Sequence, residues 1–143
     1  MARVFIDANV LIAARLSRDQ NHGRGLAIAQ AIDQGRLPTA YLLSDVLEEV
    51  INYLLRKSSH SVATETLDGL IESSGFDLLY TPKADFDAGR PLFRQYESLS
   101  LTDAIIVAAM QRTETEYLYS FDDGFDSVPE ITRLATPDAP FDV

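Results

Sequence analysis

Short apolar runs alternate with helix-periodic segments along the whole chain, and that alternation leaves few architectures open. The runs at 3–6, 39–43, 77–80, 117–120 and 131–134 are too brief for helices, and they predict strands buried in a sheet. Between them, helical spacing predicts helices at 10–18, 25–34, 45–57, 62–73, 85–96 and 101–112. Gly35 closes the second of these as a C-cap. In the third, Val46, Leu47, Val50, Ile51, Leu54 and Leu55 share one stripe, and Asp45 with Glu48 forms a capping-box pair. The last is apolar nearly all round from Ala104 to Met110, which marks a helix covered on most sides. Strands joined by helices imply an α/β fold: a three-layer α/β/α sandwich around a parallel sheet of four to five strands. No linker, repeat or low-complexity tract divides residues 1–143, whose length suits one domain. The tail from Thr136, with Pro137 and Pro140, reads as irregular.

Composition narrows the chemistry. The chain has no cysteine, so disulfides, zinc–thiolate sites, iron–sulfur clusters and thiol catalysis are all excluded. His22 and His60 both lie in polar segments and read as surface-loop residues. Twenty-two acids against twelve bases give a net charge of −10. Such a surface repels nucleic acid on average, so any nucleic-acid role depends on local basic patches or on bound cations. Lys57 and Lys83 are the only lysines, a balance that suits either a salt-rich cytoplasm or an ordinary acidic protein. No run approaches the roughly 20 apolar residues of a membrane span. The expectation is a cytoplasmic chain with neither membrane anchor nor signal peptide.

In open parallel sheets the functional crevice lies beyond the carboxyl ends of the strands. That rule directs attention to Asp7, to 44–49 and to 120–126. Four acids stand out. Asp7 ends the first apolar run, Glu49 lies in the 45–57 helix, Asp103 opens the buried last helix, and Asp122 follows the fourth strand. Each has a structural reading as well: Asp7 as a turn cap, Asp103 as capping-box partner of Ser100, and Asp122 as a turn former. Periodicity leaves Glu48 and Glu49 undecided, because Glu49 lies away from the apolar stripe and Glu48 is explained by capping. Carboxylates gathered at one sheet edge raise one another's pKa unless a cation joins them. Hard divalent ions with oxygen ligands, Mg²⁺ or Mn²⁺, suit such a set, and phosphoryl chemistry follows from them.

These residues resemble a PIN domain, and more narrowly the VapC-type toxin ribonucleases of toxin–antitoxin pairs. Phe5-Ile6-Asp7-Ala8-Asn9-Val10-Leu11-Ile12 is similar to the family's opening strand and acid. Val46-Leu47-Glu48-Glu49-Val50 resembles its helical glutamate motif, whose register favours Glu49, and Leu101-Thr102-Asp103-Ala104 resembles its third acidic motif. Ser120-Phe121-Asp122, followed by Asp123-Gly124-Phe125, resembles its closing motif. The resemblance covers nearly the whole chain and implies metal-dependent endonucleolytic cleavage of RNA. Carried over by position, it makes Asp7, Glu49, Asp103 and Asp122 the acids of a Mg²⁺ or Mn²⁺ site. Asn9 and Ser120 become supporting polar groups, and Asp126 a further acid in a crowded loop. It also implies an RNA substrate, a homodimer and a small inhibitory antitoxin. With no cysteine or well-placed histidine, an activated water attacking phosphorus in line is the most economical nucleophile.

Two other readings stand beside this one. A haloacid-dehalogenase-like phosphatase also begins with an apolar strand ending in Asp, but needs a second acid where this chain has Asn9, and gives Glu49 no role. A catalytically inactive PIN-like scaffold is the reading from a different class. Arg15, Arg18, Arg24, Arg56 and Lys57 flank the motifs and are candidates for phosphate contact, against the simpler view that cations at helix ends complement the dipole.

Overall fold

A computed structural model describes residues 2–138 and 140–141. The chain runs β1 (Val4–Ile6), α1 (Ala8–Arg15), α2 (His22–Asp33), β2 (Ala40–Leu43), α3 (Ser44–Lys57), α4 (His60–Glu72), β3 (Phe76–Leu79), α5 (Lys83–Gln95), α6 (Leu101–Arg112), β4 (Tyr117–Tyr119) and β5 (Thr132–Leu134). The strands form one sheet in the order β3-β2-β1-β4-β5, and every pairing is parallel. The expected α/β sandwich is therefore present, with five strands. Helices α1 to α4 pack among themselves, while α5 and α6 pack together as a second group.

The order matters for function. From β1 the chain proceeds outward to β2 and β3, then returns to lay β4 on the other side of β1. The reversal leaves a crevice beyond the carboxyl ends of β1 and β4, the usual place for a ligand in a sheet of this kind. All three residues of β1 are buried, so the central strand has no wet face. Helix α6 is buried from Ala104 to Met110, as its all-round apolar sequence requires.

Several local expectations are corrected. Helix α1 begins at Ala8 because Asp7 is its N-cap, so the helix starts directly after the strand. Asp45 and Glu48 form no capping box. Strand β2 runs straight into α3, leaving Leu43 as the N-cap with no side-chain cap. Neither histidine lies in a loop: His22 opens α2, and His60 opens α4. Gly35 does follow the end of α2 with φ +77, and its N–H reaches the Ile32 carbonyl at 3.1 Å. The tail from Thr136 has no strand or helix among its described residues.

One ion pair ties α5 to α6. Asp85 is 1% exposed, and Arg112 meets it with both ends of its fork, at 2.7 and 2.9 Å. Hydrogen bonding to Asp85 raises the Arg112 pKa above its ordinary value. Removing the arginine strands a charge in the interior. Arg112→Ala is expected to lower unfolding free energy by about 3 kcal/mol in urea titration, and Arg112→Ala with Asp85→Leu to recover much of that loss.

No helix among the described residues is long and apolar enough to cross a membrane.

Candidate active site

The crevice beyond β1 and β4 is organised around Ser120. It is the first residue after β4, it is fully buried, and it makes five hydrogen bonds, one of them from its N–H to the Leu134 carbonyl at 3.1 Å. Its Oγ donates to Asp7 Oδ2 at 2.8 Å. The same oxygen accepts from Asn9 Nδ2 at 3.3 Å and from the Asp122 N–H at 3.0 Å. Its carbonyl accepts from Arg133 at 3.2 Å. Asn9 completes the knot by donating to Asp7 Oδ2 at 3.3 Å and accepting the Phe121 N–H at 3.1 Å. With both ends of its amide engaged, Asn9 is a strut between the first and fourth motifs.

Asp7 is a cap, as one reading of the sequence has it, and it caps the helix itself. Its Oδ1 accepts from the Ala8 N–H at 2.8 Å, so it caps α1, and the carboxyl remains at the crevice. Burial above all, with the charges of Asp103 and Glu49 added, pushes its pKa up to about 7, against the lowering effect of the Ser120 and Ala8 hydrogen bonds. Asp103 forms the capping box with Ser100, at 3.1 and 3.2 Å. Its pKa is raised mainly by burial and further by Asp122, while its bonds to Ser100 oppose the rise. Glu49 is raised by partial burial of its carboxyl and then by Asp103. Beyond burial, Asp103 and Glu49 also raise the pKa of Asp7. Asp122 begins the 3₁₀ turn Asp123–Ser127 and accepts the Gly124 N–H at 2.9 Å.

The structure therefore brings Asp7, Glu49, Asp103 and Asp122 into one electrostatically coupled set, with Asn9 and Ser120 among them. It does not bring Asp126 into that set. Asp126 faces Arg133 in a two-pronged pair at 3.0 and 3.1 Å, and that hydrogen bonding holds its pKa below the usual range. Among the described residues no three His, Asp or Glu groups already stand close enough to hold one ion together. N–H donors hold an oxygen of each of Asp7, Asp103 and Asp122. The donor set itself fits a hard divalent cation: it is all oxygen, and three of its members carry raised pKa values that a positive charge would relieve.

Two supports escape a reading of the sequence. Arg133 lies on β5 and steadies the turn from beneath, and nothing local marks it out. Ser98 donates to the Gly124 carbonyl at 2.7 Å, tying the segment before α6 to the Asp122 turn. Ser120 itself is testable. Ser120→Ala removes the donor to Asp7 and the acceptor for Asp122; if the acids hold a divalent ion, it is expected to weaken that affinity by about 10–100-fold in calorimetry, with the circular dichroism spectrum unchanged.

Comparison with known proteins gives a consistent picture. The family model described as the PIN domain matches residues 4–131. Ribonuclease VapC13 of Mycobacterium tuberculosis is 30% identical over 95 residues, covering 64% of this chain and 70% of that protein. VapC ribonuclease Mb1869c of Mycobacterium bovis matches to the same extent. Among solved structures, VapC20 of Mycobacterium tuberculosis, a sarcin–ricin loop cleaving toxin, superposes with a TM-score of 0.74. It is 20% identical, and the match covers 87% of this chain and 93% of VapC20. VapBC2 of Rickettsia felis, solved bound to a promoter DNA fragment, gives a TM-score of 0.67 at 14% identity, covering 92% of this chain and 97% of that one.

Proposed function

The chain belongs to the PIN domain family, and from that premise we propose that it is an endoribonuclease of the VapC type, the toxin of a toxin–antitoxin pair. The observation that carries this reading is the coupled set of Asp7, Glu49, Asp103 and Asp122 at the crevice beside β1 and β4. The relatives named as VapC ribonucleases support the activity. Neighbours described as a toxin–antitoxin complex and as VapBC assemblies support an antitoxin partner. Membership of this family removes the phosphatase alternative, and Asn9, locked as a strut, fits no acid–base role there. The same reading gives an RNA substrate, a cytoplasmic setting and a homodimer.

In this reading Asp7 and Asp103 hold Mg²⁺ or Mn²⁺, with Asp122 and Glu49 completing the set directly or through water. The ion, when bound, supplies Lewis acidity toward a phosphate oxygen and toward the attacking water. The protein's own contribution is placement. Ser120 and Asn9 fix the Asp7 carboxylate, the Ser100 capping box fixes Asp103, and the Gly124 N–H fixes Asp122.

The test is a titration followed by an incubation. Mn²⁺ is expected to bind by calorimetry, and RNA to be cut in Mg²⁺ or Mn²⁺ but not in EDTA. Ion binding without cleavage of any RNA supplied would favour an inactive scaffold. Cleavage that persists in EDTA would remove the acidic set from the mechanism.

A further inference from the structure

Helices α1 and α3 pack against each other and carry matching charges at matching spacing. Asp7 caps α1, and Arg15 lies eight residues further on; Glu49 and Lys57 stand the same distance apart on α3. At 1.5 Å per residue that distance is about 12 Å along each helix. The acids meet at one end, and at the other Arg15 and Lys57 line a single groove of about 490 Å³. Arg18, just beyond α1, lines it too, as does Tyr53, whose ring has the Arg56 guanidinium 5.8 Å from its centroid. Asp19 is the one acid in the lining; its Oδ1 accepts the Asn21 N–H at 2.8 Å, and its charge is outnumbered there by Arg18 and Lys57. Arg15 pairs with Glu65 at 3.2 Å, whereas Arg18 and Lys57 have no carboxylate partner among the described residues.

Cations at helix C-termini commonly complement the dipole, which would account for Arg15 or Lys57 singly. It does not account for Arg18, which lies outside both helices, nor for Arg18 and Lys57 converging beside Arg15, without a carboxylate partner among the described residues, in a protein of net charge −10. A chain so acidic must hold a polyanion on such local ground.

We propose that this groove binds the phosphate backbone of single-stranded RNA through Arg15, Arg18 and Lys57, with Tyr53 as an aromatic wall. The contact lies about three stacked nucleotides from the bond cut at the acids. The proposal rests on the ribonuclease reading for its substrate. An acidic protein segment fits the same charges, but it has no reason to sit in helical register with the acids.

The experiment measures binding and cleavage separately. Arg18→Glu and Lys57→Glu, singly and together, are compared with Arg36→Glu, an exposed charge reversal in the loop after α2. Binding is read by anisotropy of a fluorescein-labelled oligouridylate in EDTA across a salt series, and folding by circular dichroism. The double variant is expected to bind roughly tenfold more weakly, with a salt slope shallower by about 1.4, while Arg36→Glu changes little. In Mg²⁺, KM for the RNA should rise with kcat held. Equal binding by wild type and double variant overturns the proposal, as does a wild type that binds no oligouridylate. So does loss by the double variant of polyglutamate binding alone. Binding that depends on the groove without any cleavage would sink the ribonuclease reading and leave the groove standing.

Discussion

Asp7→Asn is expected to lower RNA cleavage by about a thousandfold or more while making the metal-free protein more stable at neutral pH. The two effects have one cause. Asp7 is 7% exposed, and its pKa is pushed up to about 7, mainly by burial and then by Asp103 and Glu49. The folded chain therefore retains a proton that the unfolded chain releases near pH 4. Stability falls as pH rises from about 4 to about 7, because the unfolded state then binds fewer protons than the native state. Asparagine takes up the same space and can accept the Ala8 N–H without bearing that charge, but its NH2 then faces the Ser120 and Asn9 donors whose bonds Asp7 Oδ2 accepts, so part of the gain is lost. In EDTA at pH 8 the variant should exceed wild type by on the order of 3 kcal/mol in urea unfolding, and the gap should close by pH 4. Mn²⁺ should raise the melting temperature of wild type and not of the variant. An active Asp7→Asn protein, or one less stable than wild type at every pH, would remove Asp7 from the centre of the site.

The second large effect concerns folding. A Cβ at Gly75 would lie 2.2 Å from the Ile32 carbonyl oxygen and 2.8 Å from its carbon, both backbone atoms at the end of α2. Neither can move without unwinding the helix, and the Gly75 carbonyl is itself held by the Ala40 N–H at 2.9 Å. Gly75→Val is expected to cost at least about 4 kcal/mol, or to prevent folding. Gly69 provides the contrast. It lies inside α4, where an added Cβ would meet nothing within 4 Å, so Gly69→Ala should stabilise by about 0.5–1 kcal/mol. Similar urea midpoints for the two variants would show that the close approach at Gly75 is not rigid.

How much of this is legible in the chain depends on whether the cause is local. Helix α6 is read to the residue because its apolar surround and its Ser100–Asp103 capping box both lie within it. The start of α1 is misplaced because Asp7, expected to act at the crevice or as a turn cap, is the helix cap as well. The Asp45–Glu48 pair has the right spacing but no box, since β2 passes into α3 without a free residue to cap it. Asp7, Asp103 and Asp122 can be picked out because each follows a strand or opens a helix, whereas Glu49, inside α3, is picked out only by the motif's resemblance to the family. Their mutual coupling cannot, because it depends on the sheet order. Arg133 and Ser98 are invisible for the same reason: each acts through a partner brought near only by the fold.

The knot between Asp7 and Ser120 joins residues 113 apart in the chain, and β1 finds its second neighbour only in β4. During synthesis, which delivers the amino-terminal part first, Asp7 emerges long before its partners exist. A nascent chain halted anywhere before Ser120 lacks the group that fixes Asp7. On the ribonuclease reading, the site is thus not assembled until nearly all of the described residues have been made.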